Sequence, residues 1–165
     1  GEKGGALLYI SSSISYKVRH DLNIYKTNEL ETIFIEILNE KGRNSIIGCV
    51  YKHPNMSVSE FNELYLSQIS EKLLSEKKEI YIMGDFNINL LNYGTDIATG
   101  SFFDSIFSDG LFPYINIPTR ITPRSKTLID NIFHNDIDKN IISGNLTTDM
   151  SDHLAQVLIT PISKT

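Results

Sequence analysis

The spacing of apolar residues changes twice between residues 45 and 83, and this change restricts the fold more than any other feature. Ser45–Tyr51 reads SIIGCVY, an apolar run typical of a buried strand. Ser57 and Glu60 then have the spacing of a capping box, and apolar residues follow at helical intervals. The run at 79–83 is strand-like again. A strand, a helix and a strand in this order require a sheet with a helix packed on it, so the sequence predicts an α/β fold.

The rest of the chain adds further elements on both sides of this unit. Strands are predicted at 6–10, 16–19, 31–38, 45–51, 79–83, 127–134 and 154–159, and helices at 58–76 and 96–108. Residues 31–51 resemble a hairpin with a connection of about four or five residues. Residues 117–126 contain prolines and cations and are predicted to be a loop or ragged hairpin, and 143–145 a turn. Since no linker interrupts the pattern, residues 1–165 are predicted to form a single domain.

Composition excludes little. The chain has 165 residues, a formal net charge of −5 and a pI of about 5.3, so it lacks the basic balance that indicates a nucleic-acid partner. Acidic residues that hold a metal ion also count as negative in this sum, so the charge does not exclude such a partner. The only cysteine, Cys49, is predicted to be an isolated buried thiol. No apolar run approaches the roughly 18 residues that a membrane span needs, so no membrane partner is expected.

The segment EIYIMGDFNIN, residues 79–89, places polar side chains at the end of an apolar strand. Asp85 and Asn87 are two residues apart, which on an extended chain directs both side chains to one side. Gly, Asp and Asn are also turn formers, and an Asp side chain can accept a hydrogen bond from the backbone two residues on. A turn and a functional site are therefore both open interpretations of this segment.

Other polar residues interrupt or border apolar runs in the same way. Tyr51 closes GCVY, Asp130 lies inside TLIDNIF, and Asp152 and His153 precede the last strand. Ligands in α/β sheets tend to bind at the carboxyl ends of parallel strands, and an Asp–His pair fixes the tautomer and orientation of the imidazole. Taken alone, Tyr51 is equally consistent with an interface aromatic, Asp130 with a paired structural carboxylate, and His153 with a strand-end group.

The order of these motifs resembles that of a known family. Tyr-x-x-Pro at 51–54, Gly-Asp-Phe-Asn at 84–87, Ile-Asp-x-Ile-Phe at 129–133 and Ser-Asp-His at 151–153 are similar to the endonuclease/exonuclease/phosphatase superfamily. GGALLYI, GCVYKHP, PTRIT before SKTLIDNIF, and MSDHLAQV resemble in particular the apurinic-type endonuclease domains of non-LTR, LINE-type retrotransposons. The likeness extends from Gly4 to Ile159 and implies a DNase I-like fold, a two-sheet β-sandwich flanked by helices in four layers.

The resemblance implies a role for each site residue. Asp85 would orient or deprotonate the attacking water, and Asn87 would help to hold that water and the phosphate. His153 would contact the scissile phosphate, and Asp130 would fix its ring. Tyr51 would hydrogen-bond the phosphate. The remaining carboxylate, that of Asp152, would belong to the metal-site environment.

Phosphodiester hydrolysis needs an aligned water, a divalent cation and hydrogen-bond donors to the developing charge. Carboxylate and amide oxygens suit Mg²⁺ or Mn²⁺, which are the expected cofactors. The expected DNA contacts lie in and beside the cationic loop, where solvated surface charges are the alternative interpretation. These residues are Thr119, Arg120, Arg124, Lys126 and Thr127.

The resemblance also implies an N-terminal portion that carries an early Asn and the principal metal-binding Glu. Glu2 does not replace that residue, so the chain is expected to correspond to the C-terminal two thirds of such a domain, N-terminally truncated. The implied function is nicking of target DNA for retrotransposon insertion, with a fused reverse transcriptase in the parent protein and action in the nucleus. The alternatives are an inactive remnant and another phosphodiesterase of the superfamily, for instance one that hydrolyses a lipid or inositol phosphate.

Overall fold

The computed structural model describes residues 4–40, 42–148 and 150–161, and Glu2 lies outside them. Its strands are β1 (Tyr16–Val18), β2 (Tyr25–Lys26), β3 (Leu30–Ile37), β4 (Ser45–Lys52), β5 (Glu79–Asp85), β6 (Phe112–Pro113), β7 (Arg120–Ile121), β8 (Lys126–Thr127), β9 (Asp130–His134), β10 (Ile142–Leu146) and β11 (Ala155–Ile159). Its helices are α1 (Val58–Leu64), α2 (Glu71–Ser75) and α3 (Ile97–Ser108), with a π-helical segment at Tyr65–Ser70 and a 3-10 turn at Leu90–Asn92.

Seven strands form one mixed sheet in the order β1-β3-β4-β5-β9-β6, with β2 also paired to β3. The pair β4–β5 is parallel, and every other pair in this sheet is antiparallel. The helical connection between β4 and β5 is the βαβ unit that the sequence predicted. The two strands β10 and β11 form a separate antiparallel pair, as do β7 and β8.

The helices cover one face of the seven-stranded sheet. Phe61, Phe86, Phe102 and Phe133 pack together in this layer, with ring centroids 5.2–6.3 Å apart. On the opposite face, Leu158 of β11 packs against a smaller cluster that includes Ile132 and Met83. The predicted α/β class with two sheets and an outer helical layer is confirmed, and in the described residues the second sheet is the β10–β11 pair.

Local hydrogen bonds explain where the long helix begins and where it is interrupted. The Ser57 side chain accepts the Glu60 N–H and the Glu60 carboxylate accepts the Ser57 N–H, which is the predicted capping box. In the π-helical segment Tyr65 and Ser70 are five residues apart, and both hydroxyls donate to Asp109 Oδ2, at 2.7 and 2.6 Å. This segment divides the helix predicted at 58–76 into α1 and α2.

Three sequence predictions are corrected. Residues 6–10 do not form a strand, because this segment contacts the face of the sheet rather than an edge: Ala6 N–H donates to Glu31 Oε2 at 3.2 Å. Residues 143–145 are not a turn but the centre of β10, where Gly144 is opposite Val157 of β11. The strand predicted at 127–134 is interrupted at 128–129, which separates β8 from β9.

None of the helices that the structure describes has the length and apolar character required to cross a bilayer.

Candidate active site

The carboxyl end of β5 is fixed by close packing of the backbone. Gly84 has φ 144°, and a side chain there would overlap the Val50 carbonyl oxygen of β4, so the position requires glycine. Phe86 is buried among the core phenylalanines and holds the following loop against the sheet. Asp85 is therefore presented at a rigid point, the last residue of a central strand.

Strand pairing places three of the predicted site residues in one row. Tyr51 of β4 is the register partner of Asp85 of β5, and Asp85 is in turn the partner of Asp130 of β9. Residues paired in this way lie side by side on the same face of the sheet. Because Ile82 and Met83 alternate between the helix-covered face and the opposite face, Asp85 projects to the side of the β10–β11 pair.

His153 reaches this row from the segment that precedes β11. Its Nδ1 is 3.2 and 3.1 Å from the two carboxylate oxygens of Asp130, both within hydrogen-bond distance. Because a carboxylate only accepts hydrogen bonds, Nδ1 carries a hydrogen in this contact, and Nε2 is the ring nitrogen left for a ligand. Ligand atoms of Asp85, Asp130 and His153 all lie within 4.8 Å of one another, close enough to surround one metal ion.

Thr119 holds the elements that bring His153 to Asp130. Its side chain is completely buried, and its hydroxyl oxygen accepts the backbone N–H groups of Ile129 and Asp130, at 3.2 and 3.1 Å. Its carbonyl oxygen accepts the Leu154 N–H at 2.6 Å. The sequence-based expectation that Thr119 contacts DNA is corrected, because a fully buried hydroxyl with this geometry orients the strand that carries Asp130 instead.

The spacing of Asp85 and Asn87 would direct both side chains to one side only if the chain stayed extended. The chain is not extended at Asn87. Its φ is 46°, and its backbone N–H donates to Asp85 Oδ1 at 2.9 Å, so the GDFN segment is indeed a turn. Its side-chain Nδ2 donates to the Lys52 carbonyl oxygen at 2.8 Å. The turn and the acidic site are compatible, because the same turn fixes the Asp85 carboxylate.

Asp152 forms an ion pair with a cation of the β7–β8 hairpin. Its Oδ2 accepts a hydrogen bond from Arg120 Nε at 2.6 Å, and both side chains are nearly half exposed. The hydrogen bond from Arg120, together with its charge, lowers the pKa of Asp152 below its ordinary range. Among the described residues, the group that can surround a metal ion consists of Asp85, Asp130 and His153, so the metal role of Asp152 stays a prediction.

The remaining cations lie on the β7–β8 hairpin beside His153. Arg120 of β7 forms an isolated bridge with His153, and Lys126 of β8 and Arg124 in the connecting turn are exposed. Thr127 is half-buried, and its carbonyl oxygen accepts the Thr119 N–H at 2.9 Å. Lys126 and Arg124 therefore lie on an accessible hairpin next to the acidic row.

Burial dominates the electrostatics of the row. It raises the pKa of Asp85, the neighbouring charge of Asp130 raises it further, and the Asn87 N–H opposes this shift. Burial also raises the pKa of Tyr51, and the charges of Asp85 and Glu31 add to the effect. Two carboxylates this close favour a bound cation, which would offset their mutual repulsion.

Sequence reasoning missed two residues beside Tyr51. Glu31 of β3 is the register partner of Tyr51, so it extends the row by one strand. Gly4 packs against the Tyr51 ring so closely that any side chain there would overlap it. The period-two pattern of 31–38 and the Gly-Gly pair were visible in the sequence, but the register that brings them to Tyr51 was not.

Comparisons with known proteins identify the fold. No protein-family model matches the chain, and no curated protein matches it by sequence. Its structure is similar to the endonuclease domain of TRAS1, a telomere-specific non-LTR retrotransposon, with a TM-score of 0.70 and 17% identity over 93% of this chain and 72% of that one.

Other solved structures match over smaller fractions of their length. An endonuclease/exonuclease/phosphatase protein from Beutenbergia cavernae has a TM-score of 0.57 and 16% identity, over 78% of this chain and 38% of that one. The human Nocturnin catalytic domain has a TM-score of 0.56 and 20% identity, over 87% of this chain and 58% of that one. At these identities the likeness shows the fold, and it confirms the DNase I-like fold that the sequence motifs implied.

Proposed function

From the premise that this chain has the endonuclease/exonuclease/phosphatase fold, we propose that it is part of a divalent-metal-dependent DNA endonuclease. The proposed reaction is hydrolysis of one phosphodiester bond in a target duplex, which prepares the site for insertion of a non-LTR retrotransposon. DNA is the proposed substrate, and a reverse transcriptase domain in the same polypeptide is the proposed partner. The similarity to the TRAS1 endonuclease domain supports DNA over other phosphodiesters.

The observation that carries this proposal is the row Tyr51–Asp85–Asp130 with His153 held against Asp130. Four side chains that are distant in sequence converge on one face of the sheet. They combine carboxylates, an imidazole and a phenol, the types that hydrolysis of a phosphodiester uses.

Asp85 is the proposed general base. Its buried position raises its pKa, so the carboxylate takes a proton from water more readily than an exposed one would. The Asn87 N–H donates to one of its oxygens and fixes the direction in which the other oxygen points. The Asn87 side chain, tied to the Lys52 carbonyl oxygen, would help to orient the water and the phosphate.

His153 is the proposed donor to the scissile phosphate. Asp130 accepts from Nδ1, so a hydrogen bond from Nε2 to a phosphate oxygen requires a ring that carries hydrogens on both nitrogens. Tyr51 would donate its phenolic hydrogen to the same phosphate from the other side of Asp85. Burial keeps that phenol protonated well above neutral pH, so it remains a donor.

The residues present fit a hard divalent ion. Asp85 and Asp130 would hold it through carboxylate oxygens, the ligands that Mg²⁺ and Mn²⁺ prefer, whereas the Nδ1 of His153 already donates to Asp130. When bound, such an ion would offset negative charge on the phosphate oxygens. The exposed Arg124 and Lys126 would contact phosphates of the flanking duplex.

A plasmid-nicking assay tests this function. Supercoiled plasmid is incubated with the chain, and with a version extended by the coding sequence that precedes Gly1, in Mg²⁺, Mn²⁺ or EDTA. We expect conversion to open circles that depends on the metal. Failure of both proteins to nick under all conditions would contradict the proposal, and release of phosphate from an inositol phosphate instead would favour the other phosphodiesterase reaction.

A further inference from the structure

We propose that Tyr25 and His53 form a second DNA contact, which binds a nucleotide several positions from the scissile phosphate on the β3 side of the row. This inference rests on the proposed endonuclease function and names residues to which the sequence motifs assign no role. The contact combines stacking on the Tyr25 ring with a hydrogen bond from His53.

The strand register extends the row to Tyr25. Tyr25 of β2 is the partner of Glu31 of β3, which is the partner of Tyr51. The full row is therefore Tyr25, Glu31, Tyr51, Asp85 and Asp130, on one face of the sheet. Neighbouring strands are about 4.8 Å apart, so the row is about 19 Å long. At 3.4 Å per base pair this corresponds to roughly five to six base pairs.

Tyr25 has the exposure that a stacking residue needs. Its side chain is 70% exposed, although it lies on a strand that is paired to the sheet. Tyr25 and His53, together with Tyr51, Glu31 and Gly4, line a small cavity of about 30 Å³ at this end of the row. The space is too small for a base, so a nucleotide would lie over the cavity and against the Tyr25 ring.

Hydrogen bonding determines which nitrogen of His53 carries the hydrogen. The Asn55 backbone N–H donates to His53 Nδ1 at 3.1 Å, so Nδ1 is an acceptor and the neutral ring carries its hydrogen on Nε2. No described residue makes a hydrogen bond with Nε2. The imidazole therefore offers one N–H donor without being charged, 6.3 Å from the Tyr51 ring between ring centroids.

The position of His53 is rigid because its backbone is bonded on both sides. Its N–H donates to the Glu29 carbonyl oxygen at 2.7 Å, and its carbonyl oxygen accepts the Met56 N–H at 3.1 Å. The first bond ties His53 to the β2–β3 turn that carries Tyr25. The backbones of Tyr25 and His53 are thus held in a fixed relation to each other and to Tyr51.

The charge of Glu31 indicates which part of the nucleotide lies here. Its carboxylate stands between Tyr25 and Tyr51 in the row and would repel a phosphate placed directly over it. A base or a sugar has no such penalty, and a base that leaves the duplex stack can stack on an aromatic ring, as bases of single-stranded nucleic acids do. We therefore assign stacking of the flanking base to Tyr25 and donation to an acceptor of the same nucleotide to His53.

Matched variants separate this contact from a structural role. His53→Asn keeps an oxygen that can accept the Asn55 N–H, and its remaining N–H donors lie closer to the backbone than Nε2 does, so they do not reach the same ligand atom. Tyr25→Phe keeps the ring that Tyr25→Thr removes. They are made in the version of the protein that nicks plasmid. For His53→Asn and Tyr25→Thr we expect KM for a duplex oligonucleotide to rise about fivefold to tenfold, with kcat changed less than about twofold. Tyr25→Phe should behave as wild type.

Fluorescence locates the stacked base. The adenine analogue 2-aminopurine is placed at successive positions around the nick in a duplex bound by the Asp85→Asn variant, which serves as a non-cleaving background. We expect its fluorescence to be quenched at one flanking position, with the quenching lost in Tyr25→Thr and kept in Tyr25→Phe.

The outcomes distinguish this inference from the function on which it rests. If wild-type protein nicks DNA but KM and the 2-aminopurine signal are the same in all variants, the contact is refuted and the endonuclease function stands. If the variants lose activity only in proportion to a fall in melting temperature, the residues are structural and the contact is again refuted. If wild-type protein neither binds nor nicks DNA, the proposed function itself fails.

Discussion

The carboxylates at the two ends of strand β5 have different partners. At its beginning, both Glu79 oxygens accept hydrogen bonds from Lys139 Nζ, at 2.9 and 2.8 Å. Nearby, the buried Glu36 carboxylate is paired with Lys78 at 2.8 Å, and also with Lys17 and Arg19. At the other end, Asp85 and Asp130 lie side by side, and in the described part of the chain no lysine or arginine side chain forms an ion pair with either.

The pKa shifts follow this difference. Burial alone would raise the pKa of Glu36, but hydrogen bonds from Lys78, Asn44 and Lys17 lower it to about 2. For Asp85 burial prevails, and the pKa is raised. A carboxylate paired with cations of its own chain stabilises the fold, whereas one buried beside a second carboxylate destabilises it in the charged form. Beside Asp85 and Asp130, a bound cation would supply the missing positive charge.

The largest expected effect follows from removing the charge of Asp85, at the carboxyl end of β5. Asp85→Asn keeps an oxygen for the Asn87 N–H but removes the base, so metal-dependent nicking should fall by about a hundredfold or more. Because the charged carboxylate destabilises the fold, the melting temperature should stay constant or rise. The measurement is the nicking rate with Mg²⁺, with thermal melting alongside.

The same substitution tests whether GDFN is only a turn. Asn87→Asp is not a suitable control, because it adds charge to the site. Asn89→Ala is a better control, because it removes the acceptor of the Leu128 N–H in the same loop without changing the charge of the site. Equal nicking rates for wild type and Asp85→Asn at equal stability would leave the segment with a structural role alone.

Near the beginning of β5, where Glu36 is paired with cations, the expected effect of a substitution is on the stability of the fold and on the pH dependence of that stability. Glu36→Gln should lower the free energy of unfolding by about 1–3 kcal/mol at neutral pH, because the partly buried Arg19 and Lys78 lose their counter-charge. The folded-state pKa of Glu36 lies below its ordinary value, so its stabilisation is present above about pH 4.5 and is lost as the pH falls towards about 2.

Urea unfolding of wild type and Glu36→Gln at a series of pH values measures this. The two curves should converge as the pH is lowered through that window, and nicking at neutral pH should be unaffected in the folded variant. A constant difference in stability at all pH values would show that the Glu36 charge is not the cause.

A smaller effect is expected where the fold supports the site. Thr119→Val removes the hydroxyl oxygen that accepts the Ile129 and Asp130 N–H groups, which leaves buried donors without a partner and costs about 1–3 kcal/mol. Thr119→Ser restores the acceptor and should recover most of the stability. Because the affected strand carries Asp130, the Val variant should also nick more slowly at temperatures where it is folded.

Recovery of stability by the Ser variant is the deciding comparison. If Val and Ser variants unfold at the same urea concentration, Thr119 acts by filling space and not by accepting those hydrogen bonds.

The sequence predicted those parts of the fold that depend on local patterns. The capping box at Ser57 and the parallel pairing of 45–51 with 79–83 follow from periodicity and chain order, and both are present. The strand predicted at 6–10 was wrong because a short apolar run does not say whether a segment pairs with an edge of a sheet or packs on its face. The β10 strand was missed because Ser-Gly-Asn is typical of turns, and only its partner β11 makes it a strand.

The candidate site divides in the same way. The motif order singled out Tyr51, Asp85, Asp130 and His153, and the structure brings them together. Glu31 and Tyr25 join the row only through strand register, which no local pattern records. The sequence also cannot show which partner an acidic residue finds, and for this reason it did not predict the pairing of Asp152 with Arg120.

The Arg120–Asp152 pair gives the smallest expected effect, because both side chains are close to half exposed. Exposed ion pairs contribute little to stability because water screens them, so Asp152→Asn should leave the melting temperature almost unchanged. The Mg²⁺ concentration that gives half-maximal nicking should stay the same, because Asp152 is not in the group that can surround the ion. Releasing Arg120 from its partner should instead strengthen DNA binding slightly, most visibly at low salt.

Asp130→Asn is the matched comparison, since it should raise the Mg²⁺ concentration for half-maximal nicking severalfold or abolish nicking. If Asp152→Asn shifted the metal dependence as strongly as Asp130→Asn, Asp152 would belong to the metal site, and the contrast between the paired and unpaired carboxylates would no longer hold there.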